Sequence, residues 1–115
     1  MTQEDKELLL KDLCARLLYG VRVKQGDWEH TLESANIYNG SFDSSCAIPI
    51  PYLRPMSSMT EDEEIYYNTI YTTLKFYEKE DWLNAHHFDY RELIEKGLAL
   101  EAPEGMYLAY KFMEK

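Results

Sequence analysis

The chain is poor in the residues from which recognisable functional motifs are built. Its 115 residues include two cysteines, three histidines and five glycines. The sequence contains no Gly-rich phosphate loop, no GxGxxG, no CxxC pair, no calcium loop and no GxSxG nucleophile elbow. These absences argue against the nucleotide, zinc and serine-hydrolase classes that depend on such motifs. The sequence therefore indicates no cofactor.

Basic residues are scarce as well. Twelve Lys and Arg stand against 21 Asp and Glu, which gives a net charge of −9. Residues 60–115 contain 13 of the acidic and 6 of the basic residues, and so carry −7 of that charge. We therefore expect neither a nucleic-acid partner nor an anionic membrane. A basic protein surface would suit this charge, although acidic residues also simply solubilise a surface.

Long apolar runs are missing. No segment approaches the roughly 20 apolar residues that cross a bilayer, and the first residues, MTQEDKE, are too charged for a signal peptide. We therefore expect a cytoplasmic protein. In that compartment Cys14 and Cys46 are expected to be reduced, partly buried small side chains. A disulfide would need the fold to bring the two together.

The first third of the chain predicts a helix followed by strands. Leucines and Cys14 recur at spacings of three and four over residues 9–18, Thr2 can cap the start, and Gly20 can end the helix. Alternating apolar residues over 21–32 and the turn pair Asn39-Gly40 then indicate an antiparallel sheet of about three strands. We expect the proline-rich segment 47–56 to be extended and to cover an edge of that sheet.

The second half predicts helices. Thr60 and Glu63 have the spacing of a capping box, and Asp89 with Glu92 repeats it before a segment that Gly97 would end. Together these patterns predict an α+β fold with an N-terminal helix, a small antiparallel sheet of about three strands, and two or three C-terminal helices. We expect a single domain over residues 1–115, with 108–115 as a candidate flexible tail.

The strongest candidate surface lies on the helix after Thr60. The chain has ten tyrosines, several of them on this segment, and tyrosine suits protein interfaces because it joins an apolar ring to a polar tip. Tyr67 and Tyr71 lie four residues apart, beside a carboxylate run. We predict partner contacts at Glu63, Glu64, Tyr67 and Tyr71. The alternative is that these rings border the core with their hydroxyls in water.

His86, His87 and Asp89 are the only group that resembles a metal or acid–base cluster. Adjacent side chains on a helix point about 100° apart, so neighbouring histidines do not readily share an ion. Asp89 also fits a helix cap. These three residues support an alternative hypothesis, a metal-dependent or acid–base enzyme, but the spacing favours structural roles and we assign no catalytic or metal ligand.

Three blocks resemble a family of small uncharacterised proteins encoded by phages, prophages and mobile elements of gut bacteria. They are KDLCARLLYGV (11–21), PYLRPMSSMTEDE (51–63) and DWLNAHHFDYRELIEKGLALEAPEGMY (81–107), about half of the chain. The family often has proline where this chain has Leu18, and it tends to end near Met106-Tyr107. The resemblance implies no activity, cofactor or catalytic residue.

Small proteins of this origin often act by binding a host or phage protein. We therefore expect a non-enzymatic protein-binding module that acts through an acidic, tyrosine-rich helical surface. An inhibitor of a host defence system would be one concrete version. A self-assembling structural component is a second alternative, beside the enzyme.

Overall fold

The computed structural model describes residues 1–33, 37–38, 41–42, 47–73 and 76–107, with the backbone alone at 37–38, 41–42, 70–73 and 76–77. The helices are α1 (Gln3–Arg16), α2 (Glu61–Thr73) and α3 (Phe76–Ala85). The strands are β1 (Arg22–Gln25), β2 (Trp28–Thr31), β3 (Ile37–Tyr38), β4 (Ser41–Phe42), β5 (Ile50–Leu53) and β6 (Leu100–Glu101). This α+β architecture confirms the predicted fold class.

Helix α1 begins with the predicted cap and is followed by the predicted glycine. Thr2 and Asp5 form a capping box, and Gly20 adopts the left-handed conformation at φ 70° after a short 3-10 turn. Leu9 and Leu13 are fully buried, as their spacing predicts. Cys14 and Leu18, which also have helical spacing, face water instead. Cys14 is exposed, so its expected partial burial is wrong, and Leu18 is 89% exposed.

The main sheet has four strands in the order β2-β1-β5-β6. Strand β1 pairs antiparallel with β2 and with β5, whereas β6 joins β5 in parallel. The prediction that segment 47–56 covers an edge is therefore wrong, since β5 lies inside the sheet. Proline normally avoids strands that are paired on both sides. At Pro51, β5 pairs with β1 alone, because pairing with β6 begins one residue later, at Tyr52.

A separate hairpin joins β3 to β4, with Ile37 opposite Phe42. This register fits the predicted turn pair Asn39-Gly40, which itself lies outside the described residues. The predicted tail, 108–115, and Cys46 lie outside them as well. Among the described helices, none combines the length and the apolar character that crossing a membrane requires.

The core lies where α1 packs against the sheet, and the segment after α3 closes it. Leu9, Leu13, Val21, Val23 and Leu53 are all fully buried there. The predicted helix after Asp89 is wrong, because residues 90–99 form successive turns. Leu93 and Leu98 of those turns are nevertheless buried in the same core. The turn segment therefore contributes apolar packing without forming a helix.

Candidate functional site

A buried ion pair fixes the start of α2. Arg54 follows β5, and Glu63 is the third residue of the helix; their side chains are 7% and 4% exposed. The guanidinium donates two hydrogen bonds to the carboxylate, Nη1 to Oε2 at 2.8 Å and Nη2 to Oε1 at 2.6 Å. Thr60 completes the predicted capping box, because its N–H donates to Glu63 Oε1 and its Oγ1 accepts from the Glu63 N–H.

Aromatic and imidazole rings surround this pair. His86 Nδ1 lies 3.3 Å from Glu63 Oε2, and the Arg54 guanidinium lies 4.2 Å from the centre of the Phe88 ring. Burial alone would raise the pKa of Glu63, but the hydrogen bonds from Arg54 and the Thr60 N–H outweigh it, so the pKa is lowered from 4.5. Glu63 is therefore held as a carboxylate.

A second buried cluster joins α1 to the turns after α3. The Arg16 guanidinium donates to Asp12 Oδ2 at 2.8 Å and to the Phe88 carbonyl at 2.7 Å. Arg91 donates to the other Asp12 oxygen, also at 2.8 Å. Asp12 and Arg16 are both fully buried. One carboxylate thus connects two arginines from distant parts of the chain, so the cluster ties the first helix to the last described segment.

His87 lies between these clusters in a conformation that is rare for a residue with a side chain, at φ 64°. Its ring stacks on Tyr107 with the ring centres 3.7 Å apart. Burial, together with the positive charges of Arg16, His86 and Arg54, lowers the pKa of His87 to about 3. The imidazole is therefore neutral near pH 7.

Tyr107 is itself held on both sides of its hydroxyl, which accepts from the Arg22 N–H and donates to the Tyr52 carbonyl. Burial raises the pKa of Tyr107 to about 12. The phenol therefore stays protonated. Through its hydroxyl Tyr107 is hydrogen-bonded to the sheet, and through its ring it contacts His87.

The structure does not bring His86, His87 and Asp89 into one site. His86 faces Glu63, His87 stacks on Tyr107, and both Asp89 oxygens accept backbone N–H groups, from Leu93 at 2.8 Å and Ile94 at 2.9 Å. Asp89 therefore has the predicted capping role, but it caps a turn and not a helix. Within the described part of the chain, no three His, Cys, Asp or Glu side chains are placed to hold a metal ion.

The outer face of α2 is both apolar and acidic. Ile65 is 59% and Tyr66 49% exposed. Three carboxylates beside them, those of Glu61, Asp62 and Glu64, are exposed too, and none forms a hydrogen bond or ion pair with another described residue. We call these five residues the α2 face.

The α2 face rests on aromatic contacts with the neighbouring helix. The Tyr66 ring centre lies 5.5 Å from that of Trp82 in α3, and the Tyr67 ring centre lies 6.0 Å from it. Together with the Glu63 ion pair, these contacts hold α2 at its start and along its side, so the α2 face is presented by an anchored helix.

The predicted contact residues are distributed differently from expectation. Glu63 is wrong as a surface contact, because it is buried and paired with Arg54. Glu64 is exposed, Tyr67 is half-buried against Trp82, and the side chain of Tyr71 lies outside the described residues. Ile65 and Tyr66 were not among the predicted contact residues, yet both are exposed. The Glu63 side of α2 faces inward, and these two residues lie on the outer side.

One cleft lies beside the start of α2, and a second cleft adjoins it. The first has a volume of about 390 Å³ and is lined by residues that include Arg54, Ser57, Thr60, Glu101, Glu104 and Tyr107. The second, of about 350 Å³, is lined by residues that include Pro55, Met56, Glu92, Ile94, Glu95 and Glu101. Pro55 and Glu101 line both clefts. Neither cleft is lined by His86 or His87.

Comparison with protein-family models, with curated proteins and with solved structures finds no match. The resemblance to phage and mobile-element proteins therefore stays a prediction.

Proposed function

We propose that this chain is a non-enzymatic, cytoplasmic protein-binding module that uses the α2 face. The observation that carries this proposal is the exposure of Ile65 and Tyr66 beside three unpaired carboxylates, those of Glu61, Asp62 and Glu64. An apolar centre with a polar rim is the usual anatomy of a protein interface. Tyrosine is also among the residues that most often dominate binding energy.

The charges indicate the kind of partner. The α2 face contains three exposed carboxylates and no basic residue. Removing them from water against an acidic or neutral surface would be unfavourable, whereas a basic surface would compensate them and speed association. We therefore expect a partner with a basic rim around an apolar contact. An inhibitor that blocks a basic surface of a bacterial defence protein would be one concrete form of this function.

Affinity capture from a lysate of the source cells tests the proposal. Wild type is compared with Ile65→Ala/Tyr66→Ala and with Leu18→Ala, a control that removes an exposed apolar side chain from outside α2. We expect one enriched protein, retained by Leu18→Ala and reduced at least about tenfold by the double variant, because central interface residues dominate binding.

The identity and behaviour of the captured protein decide between the alternatives. Equal recovery by all three forms would contradict the proposal. Recovery of a second copy of this chain would instead identify self-assembly. Binding of the captured partner should also weaken with rising salt, since the rim contacts are electrostatic.

A further inference from the structure

The first of the two clefts adjoins the start of α2, and the second cleft adjoins the first. Thr60 lines the first cleft and immediately precedes Glu61, the first residue of α2. Pro55 and Glu101 line both clefts and so join the first to the second. We call the pair the double cleft.

The double cleft is strongly acidic. Its walls include the exposed carboxylates of Glu92, Glu95, Glu101 and Glu104. None of these four side chains forms a hydrogen bond or ion pair with another residue in the described ranges. Among the described residues that line the two clefts, Arg54 is the one basic residue, and it forms an ion pair with Glu63. The walls therefore carry uncompensated negative charge.

The distribution of these carboxylates over two clefts suits several separate cations. Among the described residues, no group of three acidic, imidazole or thiol side chains is placed to hold a metal ion. Carboxylates that line two adjoining clefts instead suit positive charges that are themselves separated, as they are on a basic peptide. The apolar walls, which include Met56, Ile94 and Tyr107, suit the hydrocarbon stems of lysine or arginine.

We propose that the double cleft binds an extended basic segment of the partner protein, with a Lys or Arg side chain in each cleft. This inference rests on the proposed function and assigns its partner chemistry. In an extended segment, alternate side chains point to the same side. Two basic side chains on the same side of the segment can therefore enter the two adjoining clefts, while the residue between them passes Pro55 and Glu101, which both clefts share.

A fluorescence-anisotropy titration with a defined probe tests this inference. The probe is a labelled ten-residue peptide in which lysine alternates with apolar and small residues, and the comparison peptide has glutamine at each lysine position. Glu101→Gln/Glu104→Gln changes both carboxylates of the first cleft, including Glu101, which also lines the second, whereas Glu92→Gln/Glu95→Gln changes the second cleft alone. The matched control, Glu4→Gln/Glu7→Gln, removes the same charge from exposed positions on α1.

We expect each cleft variant to weaken lysine-peptide binding about fivefold or more, and the α1 control to change it by less than about twofold. The glutamine peptide should not bind measurably. Absence of lysine-peptide binding to wild type, or equal weakening by the cleft and control variants, would overturn the inference. The second of these results would mean that net charge alone attracts the peptide.

The same titration with Ile65→Ala/Tyr66→Ala separates this inference from the proposed function. If that variant loses the captured partner while the cleft variants bind both the partner and the peptide as wild type does, the α2 face stands and the double cleft is wrong. If the cleft variants lose the lysine peptide but no partner depends on Ile65 and Tyr66, the double cleft stands and the α2 face is wrong.

Discussion

The buried and the exposed carboxylates of this chain differ in their partners. Asp12, Glu63 and Asp89 are buried, and each has both oxygens occupied, by arginine or by backbone N–H groups. The carboxylates of Glu64 and Glu101 are exposed and have no hydrogen-bond or ion-pair partner among the described residues. The first set holds the polypeptide together, and the second is left available to another molecule.

This difference shows that net charge alone is a poor guide to an acidic protein. Glu63 and Glu64 are neighbours in one carboxylate run, yet one closes an ion pair inside the fold and the other faces water. A buried carboxylate must be matched by donors, because removing a charge from water costs several kcal/mol. An exposed carboxylate has no such requirement and can serve binding.

The largest expected effect separates these two neighbours. Glu63→Ala leaves Arg54 buried without its counter-charge, so we expect the free energy of unfolding to fall by about 3–5 kcal/mol. Glu64→Ala should change it by less than about 0.5 kcal/mol. Urea denaturation followed by circular dichroism measures both values. Similar losses for the two variants would show that the Arg54–Glu63 pair does not stabilise the fold.

Acid should weaken the fold through His87. Its pKa is about 3 in the folded chain against 6.5 for a free imidazole, so the unfolded state binds the proton first as the pH falls. The stability that the neutral His87 contributes is fully present above about pH 6.5 and is lost as the pH falls from 6.5 to about 3. The expected loss from pH 7 to pH 5 is roughly 2 kcal/mol. The lowered pKa of Glu63 adds a further loss only below its ordinary 4.5.

The variant His87→Asn isolates this contribution. Asparagine tolerates the left-handed backbone conformation at this position but does not titrate. Urea denaturation at pH 7, 6 and 5 should show a slope for wild type that is largely absent in the variant. An equal slope in both forms would assign the acid sensitivity to other groups.

A smaller effect is expected at Asp89. Asp89→Ala leaves the Leu93 and Ile94 N–H groups without their acceptor. Because Asp89 caps this turn as an N-cap residue caps a helix, we expect the free energy of unfolding to fall by about 1–2 kcal/mol. Asp89→Asn retains one acceptor oxygen and should lose less. Thermal denaturation of the two variants checks this order, and a greater loss for asparagine would contradict the capping role.

The smallest effect is predicted for the carboxylates of the double cleft. Glu101→Gln/Glu104→Gln should leave the free energy of unfolding within about 0.5 kcal/mol of wild type, because both side chains are exposed and unpaired among the described residues. A slight gain is expected at low salt, since the substitutions reduce self-repulsion. A loss above 1 kcal/mol would indicate a structural role and weaken the assignment to binding.

Local patterns predicted much of this fold. The cap at Thr2, the capping box at Thr60 and the left-handed Gly20 are set by residues close in sequence, and they are confirmed together with the α+β class. Residues 90–99 show the limit of such patterns. Asp89 and Gly97 have helix-boundary spacing, yet Asp89 caps turns that pack into the core.

The candidate surface could not be derived in the same way. Helical spacing did not single out Ile65 and Tyr66 as exposed, because the side of α2 that turns inward depends on tertiary contacts with Arg54 and Trp82. The buried pairing of Arg16 with Asp12 has local spacing, whereas the third member, Arg91, lies 79 residues from Asp12. Such contacts become visible only once the chain is folded.

The measurement that tests the central claim most directly is a ¹⁵N–¹H NMR titration of the full chain with the lysine peptide. If the α2 face and the double cleft form one binding surface, amide shifts should concentrate at residues 54–66, 92–95 and 100–105 and saturate at one affinity. Saturable shifts centred on α1 or β2 would contradict this account, as would shifts spread evenly over all exposed acidic residues.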